Sequence, residues 1–151
     1  MPSLIPFSAE YQKAVLEFFT LCFPESNRAF EPNGRHQALQ NICKNFMAFW
    51  LMIEDGRIIG TVGLRNLETN QSCELKCLYL YEEFHGLGYG RMLLYTALDY
   101  AKSAGFSWIY LDTRSDSLRA QKLYSAAGFQ KTQPYYENPL TDVFFKLELS
   151  K

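Results

Sequence analysis

Hydrophobic positions along this chain change period several times, and each change marks an element. Val15, Leu16, Phe18, Phe19 and Phe23 follow Ser8, a good N-cap, at helical spacing. A helix is therefore predicted from Ser8 to about Phe23, with Pro24 ending it. Breakers crowd the segment from Pro24 to Gly34, which reads as a loop, before a second helix around His36 to Asn45. Phe46 to Glu54 and Arg57 to Leu67 are β-rich runs on either side of Asp55-Gly56, a strong short hairpin signal. Phe46, Met47, Phe49, Trp50 and Met52 take strand spacing and read as core. After the polar turn ETNQS, a third strand is expected over Cys73 to Leu80, with Leu78 and Leu80 on the face of Glu74 and Lys76.

The pattern then switches. Gly86, Gly88 and Gly90 come at alternate positions, and Leu93, Leu94, Ala97, Leu98 and Ala101 form the apolar stripe of a helix that stops at Gly105. Trp108 to Leu111 reads as a fully apolar buried strand, Ser115 to Ala127 as a helix ending at Gly128, and Gln130 to Tyr136 and Asp142 to Leu149 as closing strands. The order β-α-α-β-β-β-α-β-α-β-β makes the strands flanking the glycine helix parallel through a right-handed crossover and leaves the others antiparallel.

A strand, three glycines and a helix make a junction suited to phosphate. Glycines tolerate positive φ and carry no Cβ, so successive N–H groups can face one concavity. The helix start adds unpaired amides and about half a positive charge. Two familiar phosphate loops do not fit. No Gly-Lys-Ser or Gly-Lys-Thr of a P-loop occurs, and a G-x-G-x-x-G fingerprint would need glycine at Arg91 or Leu93.

Charge changes the picture little. Fifteen Lys and Arg stand against 16 Asp and Glu, so no global field favours nucleic acid or an anionic membrane, and any anion must be held locally. At 48% hydrophobic residues, with 12 Phe and 10 Tyr, the 151 residues suffice for a single domain with its own core. The N-terminus shows no basic segment followed by an apolar run, and no stretch nears the roughly 18 apolar residues of a membrane span. The chain reads as cytosolic, with its four cysteines as free thiols. On one strand face Cys73 and Cys77 would stand about 13 Å apart, too far to share a metal ion, so no metal is expected.

His85-Gly86-Leu87-Gly88-Tyr89-Gly90, followed by Arg91, resembles the Arg/Gln-x-x-Gly-x-Gly/Ala acyl-CoA signature of the GNAT acetyltransferase superfamily. Ser117 to Phe129, SLRAQKLYSAAGF, is similar to that family's N-x-x-A-x-x-L-Y-x-x-x-G-F motif, at the expected distance. The two motifs lie in order with a strand between them, and the resemblance covers nearly the whole chain.

What the resemblance implies is an α/β (α+β) fold: a mixed, mostly antiparallel twisted sheet of six or seven strands, a splayed central parallel pair and about four helices. Acyl-CoA would lie in the splay. The backbone of Leu78 and Leu80 would pair with the pantetheine, the amides of Leu87, Gly88, Tyr89, Gly90 and Arg91 would hold the pyrophosphate, and Tyr79, His85 and Gly86 would complete the cofactor-binding set. Ser117, Ala120 and Tyr124 would line the same ligand from the second motif. Two positions depart from the family. His85 replaces a fixed cation or amide with an imidazole, and Ser117 replaces the usual Asn.

The implied reaction is acetyl transfer from acetyl-CoA to a primary amine by direct attack in a ternary complex. Tyr124 matches the tyrosine that protonates the departing thiolate; a phenol with pKa near 10 suits that task. Glu74, eleven residues before His85, takes the place of the general base, provided burial raises its pKa, with Asp112 and Glu83 in reserve. The Leu80 amide is the expected oxyanion donor. His36 is expected on an exposed helix face.

The acceptor would meet the loop Pro24 to Gly34, with Glu25, Arg28 and Glu31, and the last hairpin, with Tyr135, Tyr136, Glu137, Asn138 and Pro139. A small-molecule amine, a metabolite or an amino-acid-like compound, fits a bare domain without a charged docking platform, working as a monomer or homodimer. The rival readings are a peptide N-terminus or protein lysine as acceptor, and a CoA-binding module that senses without turnover.

Overall fold

The computed structural model describes residues 1–138 and 140–149. Among the described residues, seven strands form a mixed sheet in the order β1-β2-β3-β4-β5-β7-β6: β1 Ser3–Pro6, β2 Ala48–Glu54, β3 Arg57–Asn66, β4 Ser72–Leu80, β5 Trp108–Thr113, β6 Gln130–Thr132 and β7 Val143–Glu148. The α-helices described with it are α1 Gln12–Cys22, α2 Ile42–Asn45, α3 Tyr89–Ser103 and α4 Leu118–Ala126. The expected element order and the parallel pair are present; the described β4–β5 ladder joins Ser72, Cys73 and Glu74 to Trp108, Ile109 and Tyr110.

Contacts divide the chain into two compact units, Met1–Arg65 with Lys76–Ala97 and Asn66–Leu75 with Leu98–Lys151. In the first, Val15, Phe18, Phe19 and Cys22 bury one stripe of α1 at helical spacing. Ser8 does not cap this helix. It is extended, its hydroxyl donates to Glu10, and a 3-10 turn over Ala9–Tyr11 precedes α1. Nor does Pro24 stop the coil at once. Proline suits the first positions of a helical turn, so a 3-10 turn continues over Phe23–Ser26 and ends at Asn27 in the left-handed region, φ 57°.

The helix expected over His36 to Asn45 is two pieces, a 3-10 turn Gln37–Gln40 and then α2. Asn41 divides them by accepting the Lys44 N–H. Gln12 holds the junction, donating to the Leu39 carbonyl at 2.7 Å and accepting the Ile42 N–H at 3.0 Å. Asp55 and Gly56 take φ 52° and 74°, the turn that matches the twist of the β2–β3 pair. Phe49, Trp50 and Met52 are buried, whereas Phe46 and Met47 are half-buried.

Strand β4 departs from simple alternation. Cys77 has φ 59° and its carbonyl accepts the Thr61 hydroxyl at 2.7 Å, a kink of the bulge kind.

In the second unit β5 alternates half-buried Trp108, Tyr110 and Asp112 with buried Ile109, Leu111 and Thr113, so it is not buried on both faces as expected. Strand β7 lies between β5 and β6, antiparallel to both. The sixth strand is three residues rather than seven, because Pro134 cannot donate to a ladder. Residues 133–138 and 140–142 lie outside the strands and turn two tyrosines toward acidic side chains. Among the described residues, no helix is long and apolar enough to cross a membrane.

Candidate active site

The glycine turn belongs to the first unit. Gly86 and Gly88 have φ 82° and 85°, and a Cβ built on either meets nothing within 4 Å, so the bare backbone faces open space. Helix α3 starts at Tyr89 and includes Gly90; its fifteen residues direct first-turn amides and the positive dipole end toward the turn.

Side chains fix the approach to it. The Glu82 N–H, opening a 3-10 turn over Glu82–Phe84, donates to Glu25 at 2.7 Å. Arg57 pairs with Glu83 at 2.8 Å, its guanidinium 5.2 Å from the Tyr81 ring centroid and 5.7 Å from that of Phe84. His85 places Nε2 3.0 Å from the Leu80 carbonyl. A carbonyl only accepts, so that nitrogen carries the hydrogen, and one side of the imidazole is committed to the end of β4. Arg91 lies over the Tyr95 ring at 4.9 Å.

The acid–base cluster belongs to the second unit. Glu74 is only 4% exposed, and its carboxylate accepts the Tyr135 hydroxyl at 2.6 Å, the short spacing of an O–H to carboxylate bond. The Tyr135 ring packs against Tyr110 at 5.2 Å, Tyr136 at 5.1 Å and Phe144 at 5.4 Å. Burial first, and then the charge and hydrogen bond of Glu74, push the Tyr135 phenol well above the usual phenolic range, so it stays protonated and donating.

Asp112 gathers the rest of that loop, its carboxylate accepting from Tyr136 at 2.5 Å, Thr141 at 2.5 Å and Asn138 at 3.0 Å. On α4, Tyr124 is 6% exposed, with its ring 5.8 Å from Phe129 and 6.0 Å from Phe145.

Residues 12–129 match the sequence model of the acetyltransferase (GNAT) family. The chain belongs to the GNAT family. An uncharacterized N-acetyltransferase of Schizosaccharomyces pombe is 37% identical over 99 residues, 65% of this chain and 61% of that protein. The chain spans about three-fifths or less of the length of the first curated relatives it matches. A GNAT acetyltransferase structure from Staphylococcus aureus Mu50 superposes with TM-score 0.89 at 25% identity, covering 99% of this chain and all of that one. The PaiA N-acetyltransferase of Thermoplasma acidophilum, solved with coenzyme A, gives 0.79 at 16% identity over 98% and 99% of the two chains.

Several expected site residues of this GNAT chain have other occupations. Glu83 is exposed and paired with Arg57, and the Asp112 carboxylate accepts three side-chain bonds from the loop that follows β6. His36 is not on an exposed helix face. It is half-buried in the loop ahead of Gln37, its Nδ1 accepting the Glu31 N–H at 2.9 Å and its ring edge-on to Phe23 at 4.9 Å. Ser117 precedes α4 without a side-chain cap bond, and Gln121 instead ties the helix start by donating to the carbonyls of Arg114 and Ser115.

Of the acceptor-loop residues, Glu25 caps the 3-10 turn before the glycines, Arg28 bonds Ser26, Glu31 pairs with Arg35, and Glu137 is exposed. Pro139 lies outside the described residues. The Glu74–Tyr135 pair had no signal in the sequence beyond two adjacent tyrosines in a polar loop.

Proposed function

We propose that this chain is an acetyl-CoA-dependent N-acetyltransferase whose acceptor is the primary amine of a small, amino-acid-like molecule, acetylated by direct attack in a ternary complex. The observation that carries the donor side is the glycine turn, where two left-handed glycines with open Cβ directions meet the N-terminus of a long helix. That backbone suits a pyrophosphate. A relative of the same fold was solved with coenzyme A, which supports the same donor class here.

The residues then divide the chemistry. Amides from Leu87 to Arg91 hold the phosphates, and the backbone of Leu78 to Leu80 aligns the pantetheine. Glu74 receives the proton that makes the amine nucleophilic. As nitrogen bonds to the thioester carbonyl carbon and the C–S bond breaks, Tyr124 delivers a proton to sulfur, and the second proton shed by the new amide nitrogen restores the phenol. Its ring packs against Phe129 and Phe145, contacts that Tyr124→Phe would keep.

Calorimetry with acetyl-CoA, followed by thiol release across a panel of primary amines, tests the proposal. Absence of binding at millimolar acetyl-CoA would overturn the donor site, and binding without thiol release from any amine would leave a sensing module. Tyr124→Phe is expected to lower kcat about tenfold or more with little change in KM for acetyl-CoA.

A further inference from the structure

Glu74 is a base that an acceptor cannot easily touch. At 4% exposure its carboxylate is walled in, whereas Tyr135, whose hydroxyl lies 2.6 Å from it, remains half-buried. A direct proton transfer needs heavy atoms within roughly 2.6–3.2 Å, or one intervening hydroxyl or water. We infer that Tyr135 is a catalytic relay, its hydroxyl oxygen accepting a proton from the bound ammonium while its own proton passes to Glu74. This rests on the acetyltransferase reading above and adds to it a route for the proton.

The bookkeeping closes. One N–H bond of the ammonium breaks as an O–H bond forms on Tyr135, and the original Tyr135 O–H breaks as one forms on the Glu74 carboxylate. The amine is left neutral with its lone pair free to attack, Glu74 is protonated, and Tyr135 is unchanged. Reversal of the path returns the proton to solvent between turnovers. A phenol held protonated by burial and by a neighbouring carboxylate suits a relay, since it never has to exist as a phenolate.

Geometry distinguishes this role from simple packing. The ring of Tyr135 is held by Tyr110, Tyr136 and Phe144, contacts that phenylalanine would keep. Only the hydroxyl is lost in Tyr135→Phe.

Two amines of nearly equal shape provide the test: ethylamine, protonated at neutral pH, and 2,2,2-trifluoroethylamine, largely unprotonated there. With the relay, Tyr135→Phe lowers kcat/KM for ethylamine about tenfold or more at pH 7, recovers as the pH is raised, and leaves trifluoroethylamine nearly unaffected. Glu74→Gln gives the same pattern, and the double variant is no worse than either single one. Equal loss with both amines, or none with either, overturns the relay while the acetyltransferase reading stands. Where the wild-type protein takes another primary amine but neither of these, that amine replaces ethylamine in the pH and H2O/D2O tests; thiol release from no primary amine at any pH overturns the acetyltransferase reading, and the relay falls with it. Should Tyr135→Phe not fold, wild-type rates with ethylamine in H2O/D2O mixtures decide instead: a bowed dependence marks two protons in flight, and a straight line overturns the relay.

Discussion

Tyr136 donates its hydroxyl to the carboxylate of Asp112 at 2.5 Å, fastening the loop that follows β6 to the end of β5. Thr141 and Asn138 use the same carboxylate oxygen, and Asp142 adds a bond from the Ser115 N–H at 2.8 Å. One carboxylate thus sets the shape of the segment that carries Tyr135 toward Glu74.

Asp112→Ala should therefore affect both stability and catalysis. It leaves partly buried donors without their acceptor, at a cost of about 1–3 kcal/mol. For a chain of this size that corresponds to a fall in Tm of about 2–12 °C. Thermal unfolding reads the first effect. A raised KM for the amine, with KM for acetyl-CoA little changed, reads the second, and Asp112→Asn, which keeps one accepting oxygen, should recover part of both. An unchanged Tm would mean that the loop is held by something else.

Gly88 and Gly56 form a natural pair of probe and control. Both have positive φ, 85° and 74°, and both have room for a Cβ. Alanine at either costs about 1–2 kcal/mol through the left-handed backbone alone. Only Gly88→Ala puts a methyl group into the proposed phosphate cradle. Equal losses of stability are expected, with acetyl-CoA binding weakened tenfold or more, about 1.4 kcal/mol, by Gly88→Ala alone. Calorimetry of the two variants decides, and equal binding by both would argue against the cradle.

What could be read from the sequence was local, and what could not was distant. The Asp55-Gly56 turn, the stripe of α3 and the left-handed Gly86 and Gly88 follow from neighbouring residues, because φ preference and helical spacing act within a few positions. Glu74 was found only by its place before the glycines, and an isolated carboxylate at a strand start reads equally well as a solvated charge. Its burial and its bond to Tyr135 depend on tertiary packing across 61 positions. The kink at Cys77 was hidden for a different reason: cysteine gives no turn signal, and the Thr61 hydroxyl that meets its carbonyl comes from another strand. His36 reads as exposed only if residues 36–45 make one helix, and Asn41 breaks that coil in two.

The cysteines should react in a fixed order. Cys43 is exposed and Cys77 half-buried, whereas Cys22 and Cys73 are buried, and burial pushes both of those thiols up to about 12. Thiolate is the reactive form, so at pH 8 a disulfide reagent should label Cys43 first and leave Cys22 and Cys73 untouched until the chain unfolds. A raised folded pKa also means that the unfolded chain loses these protons first. Stability is thus expected to fall as the pH climbs from about 9 toward 12, and Cys73→Ser should reduce that slope. Rapid labelling of all four thiols in the folded protein would contradict the burial.

Acid should act through His36. Its Nδ1 accepts the Glu31 N–H, so protonating that nitrogen removes the acceptor and breaks the bond that closes the loop from Glu31 to His36. Burial lowers its pKa from 6.5, with Arg35 and Lys76 acting in the same sense and Glu31 opposing. Between the lowered folded value and 6.5, the unfolded chain binds more protons than the folded one. Stability from this residue is therefore complete above about pH 6.5 and is lost as the pH falls through the folded value. Urea unfolding between pH 5 and 8 should show wild-type stability declining on the acid side, and His36→Asn, which offers a non-titrating acceptor, should decline less steeply. Parallel curves for the two proteins would remove His36 as the cause, as would an imidazole NMR titration midpoint at or above 6.5.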